Sequence, residues 1–225
     1  MKKINLKENV YNQDYYERGL VTGLSGYMNF SWMPELTIRM AHFMIANLGI
    51  TRQDKILDFG CAKGFLVKAF RLLNCEAFGV DISLYAIQEV DSSVRNYCFH
   101  ILGSADPKIY SSKYDWMIAK DVFEHINEDE LRDLLIRCLD TVKKIFVVVP
   151  LGLDDHSGKY IVPEYDRDVT HVIVKSKEWW MNFFCDAGWR VENFNHSFDG
   201  CKENWTTQFP DGNGFFSLVN ANSKV

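Results

Sequence analysis

The sequence predicts an α/β protein with a mainly parallel sheet. Three observations carry that expectation. Residues 55–83, KILDFGCAKGFLVKAFRLLNCEAFGVDIS, read as strand, small-residue turn, helix and second strand, with Asp58 ending the first strand and Asp81 the second. Two further apolar runs, 114–120 and 145–149, flank a helical pattern at 127–142. A last helix signal then precedes two late strands, so helices and strands alternate along most of the chain.

Residues 1–33 are polar and aromatic, with Tyr11, Tyr15, Tyr16, Tyr27, Phe30 and Trp32 among Gly19, Gly23 and Gly26. Their periodicity is weak. The stretch reads either as a flexible arm or as a cap whose aromatics cover apolar and cationic surface. Pro34 suits the first turn of a helix over 34–48. There Leu36, Met40, Phe43, Met44 and Leu48 recur at helical spacing, and Gly49 can end it. His42 lies beside this stripe as a packed or solvated residue.

The turn Gly60-Cys61-Ala62-Lys63-Gly64 follows the first strand and opens a helix over 65–73. Glycines let the backbone approach a nucleoside cofactor closely, and free amides at a helix N-terminus suit a ligand. Asp81, at the end of strand 77–80, can accept hydrogen bonds from both ribose hydroxyls. Ser83 can cap a short helix over 84–89. A third strand over 97–102 leads to Asp106, which stands before Pro107 as a turn-forming aspartate does.

Strand 114–120 runs into Lys120-Asp121-Val122-Phe123-Glu124-His125-Ile126. Ligands of open α/β sheets sit beyond the carboxyl ends of the strands, so this is the densest set of ionisable groups near the expected site. Asn127 caps the next helix, with Glu130 three residues on. Leu131, Leu134, Leu135, Cys138, Leu139 and Val142 give that helix one apolar face. Strand 145–149 is nearly all β-branched or aromatic, as for burial on both faces, and Pro150 stops it.

Residues 151–170 are irregular and longer than an ordinary connection, which points to a substrate-specific insertion. They carry Asp154, Asp155, His156, Tyr160, Glu164, Tyr165, Asp166, Arg167 and Asp168. Two adjacent acids and one histidine do not define a metal site, and no metal is expected. Ser176 caps a last helix that Gly188 stops, with Trp180, Phe183, Phe184 and Ala187 as its buried stripe. Strands over 189–195 and 214–220 close the chain. The polar and aromatic loop 198–211 between them is a second candidate border of the substrate.

A chain of 225 residues is most simply one domain, here 34–225 with 1–33 as its arm. The 47% hydrophobic and 24% charged content is that of a soluble globular protein, and a net charge of −5 argues against a dominant nucleic-acid surface. No apolar run approaches the roughly 20 residues of a membrane span, and the N-terminus lacks the apolar core of a secretory signal. The six cysteines show no paired spacing and read as reduced thiols of a cytoplasmic protein.

The pattern D-x-G-x-(G/A)-x-G, here Asp58 to Gly64, followed by Val80-Asp81, resembles the first two motifs of the class I S-adenosylmethionine-dependent methyltransferases. Ala62 departs from that family, where glycine is usual; a negative φ there would accommodate its methyl group. The resemblance extends from about Lys55 to Leu218. The Glu124-His125 pair and the segment from His171 to Ala187-Gly188-Trp189 match later motifs. It implies a Rossmann-like three-layer sandwich whose seven-stranded sheet has its last strand antiparallel. It implies S-adenosylmethionine as cofactor, with S-adenosylhomocysteine as product. Asp58 and Gly60 would line the methionine end, with the backbone through Cys61, Ala62 and Gly64 along the cofactor. Asp81 would hold the ribose, with Ile82 next to it also binding the cofactor, Asp106 the adenine, and Lys120 and Asp121 would pack by the methyl donor.

The implied reaction is methyl transfer to a small-molecule acceptor, most simply a hydroxyl. A hydroxyl must lose its proton, and His125 first, then His171, are the candidate bases, with Asp121 beside them. Likeness of the N-terminal and His171 segments to sugar-modifying enzymes points to a sugar or glycan precursor. In the same family N-terminal segments cap the site, and here the aromatics and Arg18 fit that use. A non-catalytic binder of the same cofactor shares these motifs. A nicotinamide enzyme would want the third glycine one residue later.

Overall fold

The computed structural model describes residues 10–154 and 157–221, so Asp155 and His156 of the long loop and residues 1–9 of the arm lie outside the described residues. Seven strands form one sheet: β1 (Lys55–Phe59), β2 (Glu76–Asp81), β3 (Cys98–His100), β4 (Tyr114–Lys120), β5 (Val142–Pro150), β6 (Trp189–Asn195) and β7 (Asn213–Asn220). Their order across the sheet is β3-β2-β1-β4-β5-β7-β6. Strands β1 to β5 pair in parallel, and β7 runs antiparallel to both β5 and β6. The chain reverses direction across the sheet between β1 and β4, where a ligand crevice opens in folds of this kind.

The helices are α1 (Gln13–Glu17), α2 (Gly19–Thr22), α3 (Pro34–Leu48), α4 (Phe65–Leu72), α5 (Leu84–Gln88), α6 (Glu128–Cys138), α7 (Lys177–Asp186) and α8 (Glu203–Gln208). Alternation along the strands divides the core in two. On one face Leu57, Phe59, Met117, Ala119, Ile145 and Val147 pack on α6 and α7. On the other Ile56, Ala77, Trp116, Ile118, Phe146 and Val148 pack on α3 and α4. These are the three layers.

Several boundaries and one buried face differ from the sequence reading. Helix α6 stops at Cys138, because Val142 pairs with Tyr114 as the first residue of β5. Pro150 does not stop β5: it still stands opposite Asn213. Strand β3 keeps only three residues, with a 3₁₀ turn over Arg95–Tyr97 before it. In α3 the buried face is centred on Ala41 and Met44, and Leu36 is exposed. Within β2, Gly79 has no room for a side chain: a Cβ there would lie 2.7 Å from the Cβ and Sγ of Cys61 and 2.8 Å from Val67 Cγ2.

Candidate active site

The turn after β1 is wired to the end of β2. The amides of Gly60 and Cys61 both donate to the Val80 carbonyl, at 2.8 and 3.0 Å, and that of Gly64 donates to the Cys61 carbonyl at 2.8 Å. The Ala62 amide donates to Asp81 Oδ2 at 2.7 Å, and the Ser83 amide to Asp81 Oδ1 at 2.7 Å. The turn therefore does not offer a row of free amides: those at 60, 61, 62 and 64 are committed within the protein. Gly60 and Gly64 have φ of 83° and 71°. Ala62 has φ of 48°, against the negative φ that sequence favours, so the alanine sits in the left-handed region at a cost of about 1–2 kcal/mol. The Cys61 side chain is buried beside Gly79, so only its backbone can face a ligand.

Two buried acids end β1 and β2. Burial, then the neighbouring Asp81, push the Asp58 carboxyl up to about 7, against the pull of Lys120. Among the described residues nothing hydrogen-bonds the Asp58 carboxylate. Burial also raises Asp81, with the Ser83 and Ala62 amides pulling the other way. Each Asp81 oxygen holds one amide and keeps a second lone pair, which is what two ribose hydroxyls need. This donor set fits a nucleoside bearing a cationic amino-acid end. Ile82 presents its carbonyl 3.1 Å from His100 Nε2. Asp106 caps the 3₁₀ turn Pro107–Tyr110, accepting from the amides of Leu102 and Lys108 at 2.9 and 3.0 Å.

Beyond β4 the chain places Asp121 between two lysines. Lys120 Nζ lies 2.5 Å from Asp121 Oδ2, and Lys202 Nζ 2.5 Å from Oδ1. Burial alone would raise the Asp121 carboxyl; the two ammonium groups outweigh it and hold it well below the usual range. Lys202 also meets Asn213 Oδ1 at 3.0 Å and the Tyr165 hydroxyl at 3.1 Å. Asp121 and Lys202 have φ of 56° and 54°, so both ends of this pair sit on left-handed backbone. Lys202 escaped the sequence reading, because nothing in loop 198–211 marks it as a partner of a residue some eighty positions earlier.

Next to this cluster stand Glu124, His125 and His171. Burial, then the charge of Asp121, raise Glu124 well above an ordinary carboxyl. The two imidazole rings are 4.6 Å apart between centroids. Burial, then the neighbouring His171, bring His125 down to about 4, and burial lowers His171 as well. His171 Nδ1 lies 2.9 Å from the Tyr165 carbonyl, which can only accept, so Nδ1 carries the proton and Nε2 the lone pair. His125 Nδ1 lies 2.8 Å from Thr170 Oγ1. One ligand atom from each of Glu124, His125 and His171 falls within 4.8 Å of the other two, so these three could also hold a divalent ion. They differ from the Asp154, Asp155 and His156 weighed in the sequence.

Residues 10–33 lie on this site. Tyr15 and Tyr16 are buried, and with Tyr11, Tyr27 and Phe30 they pack against Ala62, Tyr85 and Ala86. Buried Lys63 bonds Glu17 and the Phe30 carbonyl, and the Tyr85 hydroxyl donates to Glu17 at 3.0 Å. The Ser83 hydroxyl donates to the Tyr11 carbonyl at 2.5 Å. On the other side the Tyr15 hydroxyl donates to Asp168 Oδ2 at 2.8 Å, and Tyr11 packs edge-on against His125 at 6.0 Å. Arg18 instead faces outward to Asp14. No described helix is long and apolar enough to cross a membrane.

Residues 32–196 match the family model described as "Methyltransferase domain". Among curated proteins nothing matches the chain. Several solved structures share the fold. A chain from a complex of the Haloferax volcanii Trm112 methyltransferase activator is 15% identical, with a TM-score of 0.65 over 86% of this chain and 93% of its own. An S-adenosylmethionine-dependent methyltransferase from Archaeoglobus fulgidus is 14% identical, with a TM-score of 0.60 over 83% of this chain and 96% of its own. CalO1, a methyltransferase in calicheamicin biosynthesis solved with S-adenosylhomocysteine bound, is 14% identical, with a TM-score of 0.53 over 80% of this chain and 53% of its own. With a Rossmann-like sheet, a cofactor turn closed onto Asp81 and a family match over most of its length, the chain belongs to the methyltransferase-domain family and is a class I S-adenosylmethionine-dependent methyltransferase.

Proposed function

We propose that the acceptor is a hydroxyl of a small molecule, a sugar or glycan precursor, and that His125 takes its proton. The observation that carries this reading is the pair of partly buried imidazoles, His125 and His171, with centroids 4.6 Å apart beyond the end of β4, where burial favours the neutral ring. A neutral imidazole is the form that accepts a proton. When bound, S-adenosylmethionine supplies a methyl group on a sulfonium with a good leaving group. The protein then has to align the acceptor oxygen, exclude water and remove one proton. Residues 10–33 serve as the cap that excludes water, and 151–170 shape the acceptor pocket. Asp58 meets the cationic amino end of the cofactor, the Gly60–Gly64 backbone runs along it, Asp81 and Ile82 hold the ribose, Asp106 the adenine edge, and Lys120 and Asp121 border the methyl group. His171 is the second candidate base. The net charge of −5 disfavours a nucleic-acid acceptor, and the unpaired thiols suit a cytoplasmic protein.

The test pairs binding with turnover. His125→Ala is expected to keep S-adenosylhomocysteine affinity within about twofold while turnover on an accepted hydroxyl compound falls about 10²–10⁴-fold. Unchanged turnover would remove His125 from the reaction. Asp81→Ala should instead abolish cofactor binding in calorimetry.

A further inference from the structure

We propose that Asp168, acting through Thr170, is the positioning residue that fixes His125 as a base, and that Tyr15 of the N-terminal segment holds Asp168 to that task. The inference rests on the reading of His125 as proton acceptor.

The hydrogen bonds admit one consistent assignment of protons. The Asp168 carboxylate only accepts. Its Oδ1 receives the Thr170 amide at 2.9 Å and the Thr170 hydroxyl at 2.5 Å, and its Oδ2 receives the Tyr15 hydroxyl at 2.8 Å. Having given its hydrogen to Asp168, Thr170 Oγ1 faces His125 Nδ1 at 2.8 Å as an acceptor. Nδ1 therefore carries the ring proton, and Nε2 is left with the lone pair that can take another. When His125 gains a proton, the charge on the imidazolium faces the carboxylate through one hydroxyl. That arrangement favours the protonated ring at the moment it forms, and Asp168 need not be protonated itself. His171 has only a neutral carbonyl on its Nδ1, which separates the roles of two otherwise similar histidines.

The relay draws on three separate parts of the chain. Tyr15 belongs to α1, His125 follows β4, and Asp168 and Thr170 end the long loop after β5. Tyr15 and Asp168 are 153 positions apart. A second link, from the Val169 amide to the Leu24 carbonyl at 3.4 Å, fastens the same two segments. The base is thus complete only when the N-terminal segment is docked.

Ring-nitrogen NMR of protein labelled with ¹⁵N-histidine reads the tautomer directly, with His125→Gln identifying the signal. The native protein is expected to hold His125 with its proton on Nδ1. Thr170→Val should convert it to a mixture of both tautomers, Thr170→Ser should restore the native form, and Tyr15→Phe should give a smaller shift toward the mixture. S-adenosylhomocysteine affinity should stay within about twofold throughout. Thr170→Val retaining Nδ1–H with cofactor affinity intact would overturn the relay. If Thr170→Val does not fold, Asp168→Asn decides: a mixed tautomer supports the relay and a native one overturns it. This readout needs no acceptor, so its failure is separate from failure of the hydroxyl reading, which appears in the methylated product.

Discussion

Ala62 holds a left-handed backbone that glycine would hold at lower cost. Ala62→Gly is therefore expected to stabilise the apo protein by about 1 kcal/mol in urea unfolding. A destabilised variant would mean that the methyl group packs usefully against the aromatic cluster above it. Asp58 yields a pH prediction. Its folded value of about 7 lies above the ordinary 3.8, so the folded apo chain binds this proton more tightly than the unfolded chain does. This group's contribution to apo stability falls as pH rises from about 4 through 7. The charges facing it are Asp81 and Lys120. A cationic cofactor amine beside Asp58 would expel the proton, so binding of S-adenosylhomocysteine at pH 7 should release roughly half a proton. Calorimetry in two buffers of different ionisation enthalpy measures it; identical heats would sever Asp58 from the amine. Asp121 and Lys202 allow a comparison. Asp121→Asn leaves two lysines facing each other and is expected to cost about 3–5 kcal/mol. Lys202→Met leaves Asp121 paired with Lys120 and should cost less; the reverse order in chemical denaturation would refute this account. Asp58, Asp81 and the histidines were legible because each ends a strand or sits in a recognisable motif. Lys202, Thr170 and Tyr15 were not, because their partners are set by tertiary proximity and leave no local pattern.

Two elements read as irregular in the sequence have order in the fold. The arm contains α1 and α2 and buries Tyr15 and Tyr16, although its amphipathic period is too short to register. The loop before β7 contains α8, six residues long, which lacks a side-chain cap. The end of α6 was misplaced for a different reason. Apolar Val142 fits a helical stripe as well as a strand, and only pairing with Tyr114 decides. Glu17 is the hinge of the arm's docking, since it receives both Lys63 and Tyr85. Glu17→Ala would leave the buried Lys63 ammonium with the Phe30 carbonyl as its one hydrogen-bond acceptor among the described residues. Hydrogen exchange should then show lost protection across 13–30, with β1 and β4 unchanged. Full protection would mean that the aromatic cluster alone holds the arm.

At the scale of the molecule, the mainly parallel sheet followed from the alternation of helices and strands, and the apolar runs 116–119 and 145–149 mark the parts of β4 and β5 buried on both faces. The sheet brings Asp58, Asp81, Asp121 and His125 to one edge from three separate stretches. A ligand bridging that edge stabilises the fold as a whole. S-adenosylhomocysteine at a hundred times its Kd should add about 2.7 kcal/mol and raise Tm by about 5–10 °C. Proton abstraction by His125 also predicts that turnover survives dialysis against EDTA. Loss of turnover restored by a divalent ion would move Glu124, His125 and His171 from proton transfer to ion binding. Gly79 touches none of this chemistry. Yet its bare backbone is what lets Cys61 and Val67 close over β2, and so holds the turn against Asp81. In a saturation library selected for methylation, position 79 should tolerate as few replacements as position 81. A survey of variants would mark it as part of the active site, though no substrate ever meets it.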